Sequence, residues 1–336
     1  MPSCRASSIP WWTPSRSTGA RRRSRPPAGT PDPDRDPDPS AEAVVKTVRE
    51  LIGLSAGYLD DKGIESPRLN AERLLGDVLG LARIELYLQA DRPVVGDELA
   101  RYRELVRRRG TGEPLQTLIG TTGFYSREFK VEEGVFIPRP ETERLVETCT
   151  GLLTPDDHSL LSPRVVDCGC GSGVIAVSLA AEIPVTEVWA VDRDPRAVEL
   201  TRRNAHRHGV DARVHALEGD LLRPVPAHLR GELDLLVSNP PYIRRSELPT
   251  LAAEVQHDPV AALDGGEDGL DVYRALTAQA VRWLRPGGWL ALEIGADQGE
   301  SVPALLAAAG LVEVTMTRDY NDLPRVVVGR RAEDGA

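Results

Sequence analysis

The sequence predicts an α/β fold, with an open sheet domain preceded by a small helical bundle and a β-hairpin connector. Three observations predict it. The apolar run Leu233–Ser238 reads as a buried strand and stops at Asn239-Pro240-Pro241-Tyr242. A β-branched run, Arg164-Val165-Val166-Asp167, enters the turn Gly169-x-Gly171-x-Gly173, and an Ala/Val/Leu-rich helix follows over about 174–181. A second strand, 187–191, closes on Asp192 about twenty residues after the glycines. Strand, glycine turn, helix and strand in that order define an α/β unit, and ligands of such sheets bind outside the carboxyl ends of the strands.

The chain has 336 residues, 41% of them hydrophobic, which allows about two domains with separate cores. Residues 1–40 differ from the rest. They carry nine prolines, Arg21-Arg22-Arg23 and a repeating Pro-Asp pattern, with seven arginines against four aspartates. That composition cannot bury enough apolar surface to order itself, so a disordered head is expected. It lacks the apolar core of a signal peptide. An upstream start codon read into the gene is one explanation, and a transit peptide is another that the aspartates and prolines count against. With the head at +3, the overall charge of −10 leaves the body at −13.

From 41 to 110 the pattern is helical. Val44, Val45, Val48, Leu51 and Ile52 recur at helical spacing, as do Ala71, Leu74, Leu75, Val78 and Leu79, and then Leu99, Tyr102, Leu105 and Val106. Breaks at Gly63, Pro67 and Gly80 make this a small bundle. Residues 111–137, with four glycines and β-rich pieces between them, read as the hairpin connector. The sheet domain then runs over 138–331. A helix over 195–208 follows Asp194, which caps it. A third strand over 213–217 leads to Asp220 and Leu221. A tail of strand, helix and antiparallel hairpin closes the domain over 289–328.

The chemistry follows from the strand ends. Asn239 offers an amide carbonyl, and two prolines remove two backbone donors, leaving carbonyl oxygens free to point into a cleft. Asn239 and Pro240 can thus accept both hydrogens of a planar –NH2 group, with the Tyr242 ring flat against it. An ordinary Asn-Pro turn is the plain alternative, and the glycine segment decides against it. Its spacing puts Val174 where a dinucleotide fingerprint needs a small residue, and no Gly-Lys-Ser/Thr follows, so NAD, FAD and P-loop readings fall. Asp192 is placed to accept hydrogen bonds from ribose hydroxyls, and Asp220 either sits beside an adenine edge or is a solvated loop aspartate. Four cysteines form no disulfide framework, and no residue spacing suits a metal. No metal and a reducing, cytoplasmic setting are expected.

Gly169-x-Gly171-x-Gly173, Asp192 and Asn239-Pro240-Pro241-Tyr242 together resemble a class I S-adenosylmethionine-dependent methyltransferase of the amino-methylating kind. Glu113-Pro114-Leu115-Gln116, Gly123-Phe124-Tyr125, Phe136-Ile137-Pro138-Arg139-Pro140-Glu141-Thr142-Glu143, the segment 262–270 and Leu292-Glu293-Ile294-Gly295 narrow this to a resemblance to the HemK/PrmC family, over about 42–331. That resemblance implies a Rossmann-like seven-stranded methyltransferase domain and transfer of a methyl group to the side-chain amide of the glutamine in the Gly-Gly-Gln motif of peptide chain release factors. It implies S-adenosyl-L-methionine bound by Asp167, Gly169, Cys170, Gly171, Ser172, Gly173, Asp192, Asp220, Leu221 and Asn239. It further implies substrate contacts from Asn239, Pro240, Pro241, Tyr242 and Phe124, a core position being the alternative for Phe124, with the helical bundle recognising the substrate. Cys170 stands where Thr is common, Leu221 where some members carry an aromatic, and Asp258-Pro259 where Glu-Pro is more usual.

Asn239, Pro240 and Tyr242 are then the catalytic set, with no dedicated general base, because the amide nucleophile is neutral and loses its proton after attack. A ribosomal-protein glutamine is an alternative substrate that the sequence hardly separates from the first. A nucleic-acid amino group is a further alternative, and the acidic body weighs against it. A non-catalytic binding module is disfavoured, because both halves of the site are complete. The arginines at 101, 103 and 107–109 read as a solvated helix face. Neither sequence-specific nucleic acid nor membrane is expected as a partner.

Overall fold

A computed structural model of the protein describes residues 45–154 and 162–333, so the head expected to be disordered lies outside the described residues. Strand β1 (Lys46–Thr47) leads into α1 (Val48–Asp61), where Thr47 and Glu50 form a reciprocal capping box. Helix α2 (Pro67–Leu79) has proline in its first position and ends on Gly80 at φ 64°. Helix α3 (Arg83–Leu88) and strand β2 (Pro93–Val94), which pairs antiparallel with β1, precede α4 (Gly96–Arg109). Helix α4 opens on Asp97 and Glu98 and closes on Arg107, Arg108 and Arg109, charges that suit its dipole at both ends. Leu51, Leu74, Leu75, Tyr102 and Val106 pack into one core among these helices.

The stretch read as connector holds a short helix, α5 (Leu115–Ile119), before the hairpin of β3 (Thr121–Phe124) and β4 (Arg127–Lys130). After the short 3-10 turn Pro140–Thr142 come α6 (Glu143–Leu153), β5 (Arg164–Cys168), α7 (Val174–Glu182), β6 (Glu187–Asp192), α8 (Pro195–Arg207), β7 (Val214–Glu218) and β8 (Leu233–Ser238). Helices α9 (Val260–Leu263) and α10 (Asp271–Trp283), strand β9 (Leu284–Glu293), helix α11 (Ser301–Ala308) and the hairpin β10 (Leu311–Arg318) and β11 (Pro324–Arg331) complete the chain.

Seven strands form one sheet in the order β10-β11-β9-β8-β5-β6-β7. The five strands from β9 to β7 run parallel, while β11 and β10 run antiparallel at one edge. One face packs against α6, α7 and α8, the other against α10 and α11, giving a core on each side. Every residue of β8 is buried, which is why this strand reads as a continuous apolar run. Successive strands step outward from β5 through β6 to β7, then in the opposite direction from β8 to β9. The order therefore reverses between β5 and β8, where a crevice opens at the carboxyl ends. Among the described residues no helix is long and apolar enough to cross a membrane.

Candidate active site

The two strand ends at this crevice are tied together. The Ser238 hydroxyl donates to the Cys168 carbonyl across β8 and β5 at 2.6 Å. Gly169 and Cys170 then donate their N–H groups to the Val191 carbonyl at 2.8 and 3.0 Å, turning the chain over the end of β6. Gly169, Gly171 and Gly173 sit at φ 77°, 55° and 80°, a region that a side chain rarely adopts. At Gly173 a Cβ would also meet Thr201 at 2.8 Å, so that glycine lets the loop lie directly on α8.

Helix α8 holds the loop from below. The Thr201 hydroxyl donates to the Gly171 carbonyl at 3.1 Å, and the Asn204 amide to the Ser172 carbonyl at 2.8 Å. Asn204 also exchanges hydrogen bonds with the backbone of Lys130 at 2.8 and 3.0 Å, which locks the β3–β4 hairpin to the glycine loop. Sequence reasoning missed Asn204, whose full burial inside a helix is not visible in the sequence.

A cavity of about 390 Å³ lies over these strand ends. Gly169, Cys170, Gly171 and Ser172 form its floor, Asp192, Asp220 and Leu221 one wall, and Asn239, Pro240, Pro241 and Tyr242 another. Asp192 accepts from the N–H groups of Gly171 and Asp194, both at 2.9 Å, so its carboxylate is fixed at the mouth of the glycine turn. Asp194 caps α8 through the Arg196 N–H at 2.9 Å, as its position before Pro195 predicts. Leu221 takes φ 49°, uncommon for leucine and the kind of backbone outlier that collects at ligand sites.

Three candidates lie away from the lining. Asp167 is completely buried beneath the loop; it accepts from the Ala176 N–H at 3.1 Å, and its Oδ1 has no partner. Burial pushes its carboxyl up to about 7, with the nearby Asp192 charge adding to the rise. Gly173 faces Thr201 rather than the cavity. Phe124, expected against the substrate, is instead a core residue, stacked edge-on with Phe129 at 6.0 Å and 2% exposed. Its strand alternation turns it inward, and apolar burial wins over a cleft position.

The Asn-Pro-Pro-Tyr turn is pinned from behind. The Gln298 amide donates to the carbonyls of Tyr242 and Gly269 at 3.2 and 3.0 Å. A Cβ at Gly265 would fall 2.8 Å from the Tyr242 Cα, and one at Gly269 would fall too close to the Tyr242 carbonyl. Gly265 and Gly269 are therefore demanded by close backbone approach. Burial pushes the Tyr242 hydroxyl up to about 12, so the ring is neutral.

The roof comes from the Pro-Arg-Pro segment and the loop after Tyr242, joined where Asp258 pairs with Arg139 and accepts from the Ile137 N–H at 3.1 Å. Arg109 reaches that loop from α4. It donates to Asn70 at 2.7 Å, to the Glu113 carbonyl at 3.0 Å and to Glu254 at 3.1 Å. At 3% exposed it is a buried strut, and of the arginines expected to form a solvated face only Arg101 and Arg107 are exposed, with Arg103 and Arg108 half-buried. Among the described residues no cluster of three or more histidine, cysteine, aspartate or glutamate side chains could hold a metal, and Cys149, Cys168 and Cys170 are buried free thiols.

A seven-stranded sheet of this order, with a glycine loop and an Asn-Pro-Pro-Tyr turn facing one cavity, defines a methyltransferase. Residues 128–267 match the family model described as methyltransferase small domain, and residues 50–120 the one described as PrmC N-terminal domain. Release factor glutamine methyltransferase of Geobacter sulfurreducens is 44% identical over 285 residues, covering 84% of this chain and 96% of that protein. The protein of the same name from Moorella thermoacetica is 43% identical over 290 residues, covering 86% and 100%. A crystal structure of a release-factor-specific protein-(glutamine-N5) methyltransferase from Alicyclobacillus acidocaldarius is 30% identical and covers 61% of this chain and 99% of that one, with a TM-score of 0.36. On the sequence relatives, the chain belongs to the release factor glutamine methyltransferase family.

Proposed function

We propose that this protein methylates the side-chain amide nitrogen of the glutamine in the Gly-Gly-Gln motif of peptide chain release factors, using S-adenosyl-L-methionine and no metal, in the cytoplasm. The observation that carries the reading is the position of Asn239 and Pro240, at the sheet's switch point and in one cavity with the glycine loop. The names of the sequence relatives supply the substrate class.

The residues present fit the donor. A floor of backbone at positive φ over the start of α7 suits a carboxylate and a close approach, and the acidic wall suits ribose hydroxyls. Asp192 would hold the ribose, Asp220 and Leu221 the base, and Gly169–Ser172 the amino-acid end. When bound, S-adenosylmethionine supplies a methyl group already activated by the positive charge on its sulfur.

The protein's part is alignment. The Asn239 Oδ1 and the Pro240 carbonyl accept the two hydrogens of the glutamine amide and fix the direction of its nitrogen lone pair. Both bonds strengthen as positive charge develops on that nitrogen, which is stabilisation specific to the transition state. The Tyr242 ring covers the amide plane, and positioning supplies much of the remaining acceleration. The proton leaves after attack, so no side chain has to remove it first.

Asn239→Ala tests this. S-adenosylmethionine should still bind, while single-turnover methylation of a release factor falls roughly 10²–10³-fold, the scale of one lost preorganised contact. Near wild-type methylation in this variant would refute the clamp. Labelled donor offered with release factor, ribosomal protein, tRNA, rRNA or DNA identifies the acceptor.

A further inference from the structure

Glu293 is a buried acid that the clamp does not use. It ends β9, the neighbour of β8, and in that register Leu292 lies beside Ser238, so Glu293 comes level with Asn239. Its side chain is 1% exposed, and its Oε2 has no hydrogen-bond partner. The Thr142 hydroxyl and the Asn239 amide both stabilise its ionised carboxyl. Thr142, 2% exposed at the end of the Pro-Arg-Pro-Glu-Thr turn, in turn accepts from the Asn239 Nδ2 at 3.2 Å. Three segments far apart in the chain thus meet behind the clamp.

Taking Asn239 as the acceptor for the substrate amide, we infer that Glu293, acting directly and through Thr142, is the positioning residue that sets the polarity of the Asn239 side chain. An ionised carboxylate can only accept, so it obliges the Thr142 hydroxyl to donate to it. The Thr142 oxygen then has only lone pairs left for Asn239, which must present Nδ2 to Thr142 and therefore Oδ1 to the cavity. A protonated Glu293 removes that constraint. The Thr142 hydroxyl is then free to donate to Oδ1, and a flipped Asn239 would offer the substrate –NH2 group a donor where it needs an acceptor.

The charge state of Glu293 is set by its surroundings. Burial raises its carboxyl to about 7, opposed by Thr142 and by the Arg325 charge from β11, with Glu141 adding to the rise. Tyr242, and Tyr273 from α10, whose hydroxyl donates to the Glu293 carbonyl at 2.9 Å, face it as neutral rings. Activity should therefore rest on the ionised form and decline as pH falls through this range. Asp167 titrates there too, so the assignment rests on which variant loses the decline.

Single-turnover methylation of a release factor at saturating donor, from about pH 5.5 to 9, is measured for wild type, Glu293→Gln, Thr142→Val, Thr142→Ser and Asn239→Ala, with donor affinity by calorimetry. Wild type should lose about tenfold per pH unit on the acid side, as for one proton. Glu293→Gln should be slower by roughly 10–100-fold at pH 8, the loss of one hydrogen bond to a charged group, with that acid limb gone and donor affinity retained. Thr142→Val, which keeps the direct contact of Glu293 with the Asn239 amide, should fall between Glu293→Gln and wild type, and Thr142→Ser, which restores the hydroxyl, should approach wild type. Wild-type rates in Glu293→Gln or Thr142→Val beside an inactive Asn239→Ala overturn the relay and leave the clamp standing. An active Asn239→Ala overturns the clamp itself. Should Glu293→Gln fail to fold, the Val and Ser pair at 142 decides: equal rates in the two overturn the inference.

Discussion

Asp192 shows how much one side chain is asked to do. Its two oxygens already receive the N–H groups of Gly171 and Asp194, which orients the carboxylate before any ligand arrives. Each oxygen keeps a further lone pair for the proposed ribose hydroxyl, so bonds to that ligand would carry little ordering entropy. Asp192→Ala should weaken S-adenosylmethionine binding roughly 10- to 100-fold, on about 1.5–3 kcal/mol for hydrogen bonds to a charged acceptor. Titration calorimetry checks it, and unchanged affinity would remove Asp192 from the donor pocket. Asp192 and Asn239 can be read from sequence because each sits one residue past or at the end of an apolar strand. Thr142 and Glu293 lie in segments that carry the family resemblance, but nothing in the sequence gives either a role. Their importance comes from where the topology brings them, and Glu293 looks in sequence like the polar close of an ordinary strand.

Elements divide in the same way. The central strands and α8 stand out in the sequence, since burial on both faces or a capped apolar stripe leaves a strong pattern. The β3–β4 hairpin does not announce its turn. Tyr125 and Ser126 both take positive φ, 48° and 58°, where Asn-Gly would be the usual signal, and the turn is held by the Tyr125 N–H donating to Glu143 at 2.7 Å. The short α5 and the two-residue strands β1 and β2 are too brief to show a period. The hairpin's purpose becomes visible only through Asn204, which joins it to the glycine loop. Asn204→Ala would leave the Ser172 carbonyl and both Lys130 backbone groups without that partner. It should destabilise the fold by about 1–3 kcal/mol or more per buried group left unpaired, and loosen donor binding through the loop. Urea unfolding and donor calorimetry on the same preparation test this. A loss of stability with donor affinity intact would make Asn204 a purely structural tie.

Across the whole molecule, two buried carboxyls set stability against activity. Asp167 on β5 and Glu293 on β9, the two strands that flank β8, are each raised to about 7 chiefly by burial. In the unfolded chain both would ionise near the ordinary carboxylate range, so between about pH 4 and 7 the folded state binds more protons than the unfolded one. The stability they contribute is thus fully present below that range and declines as pH rises through 7, by on the order of 1.4 kcal/mol per pH unit for each group. The proposed catalytic form needs Glu293 ionised, so the protein would work on the side where its fold is weaker. Urea midpoints should therefore fall from pH 5 to pH 8. Asp167→Asn removes one of the two titrations and should halve that slope, whatever it does to stability at a single pH. Glu293→Gln should flatten the slope similarly while also abolishing the acid limb of the rate profile, whereas Asp167→Asn should keep that limb. If both variants unfold with the wild-type pH dependence, neither carboxyl is held protonated by the fold.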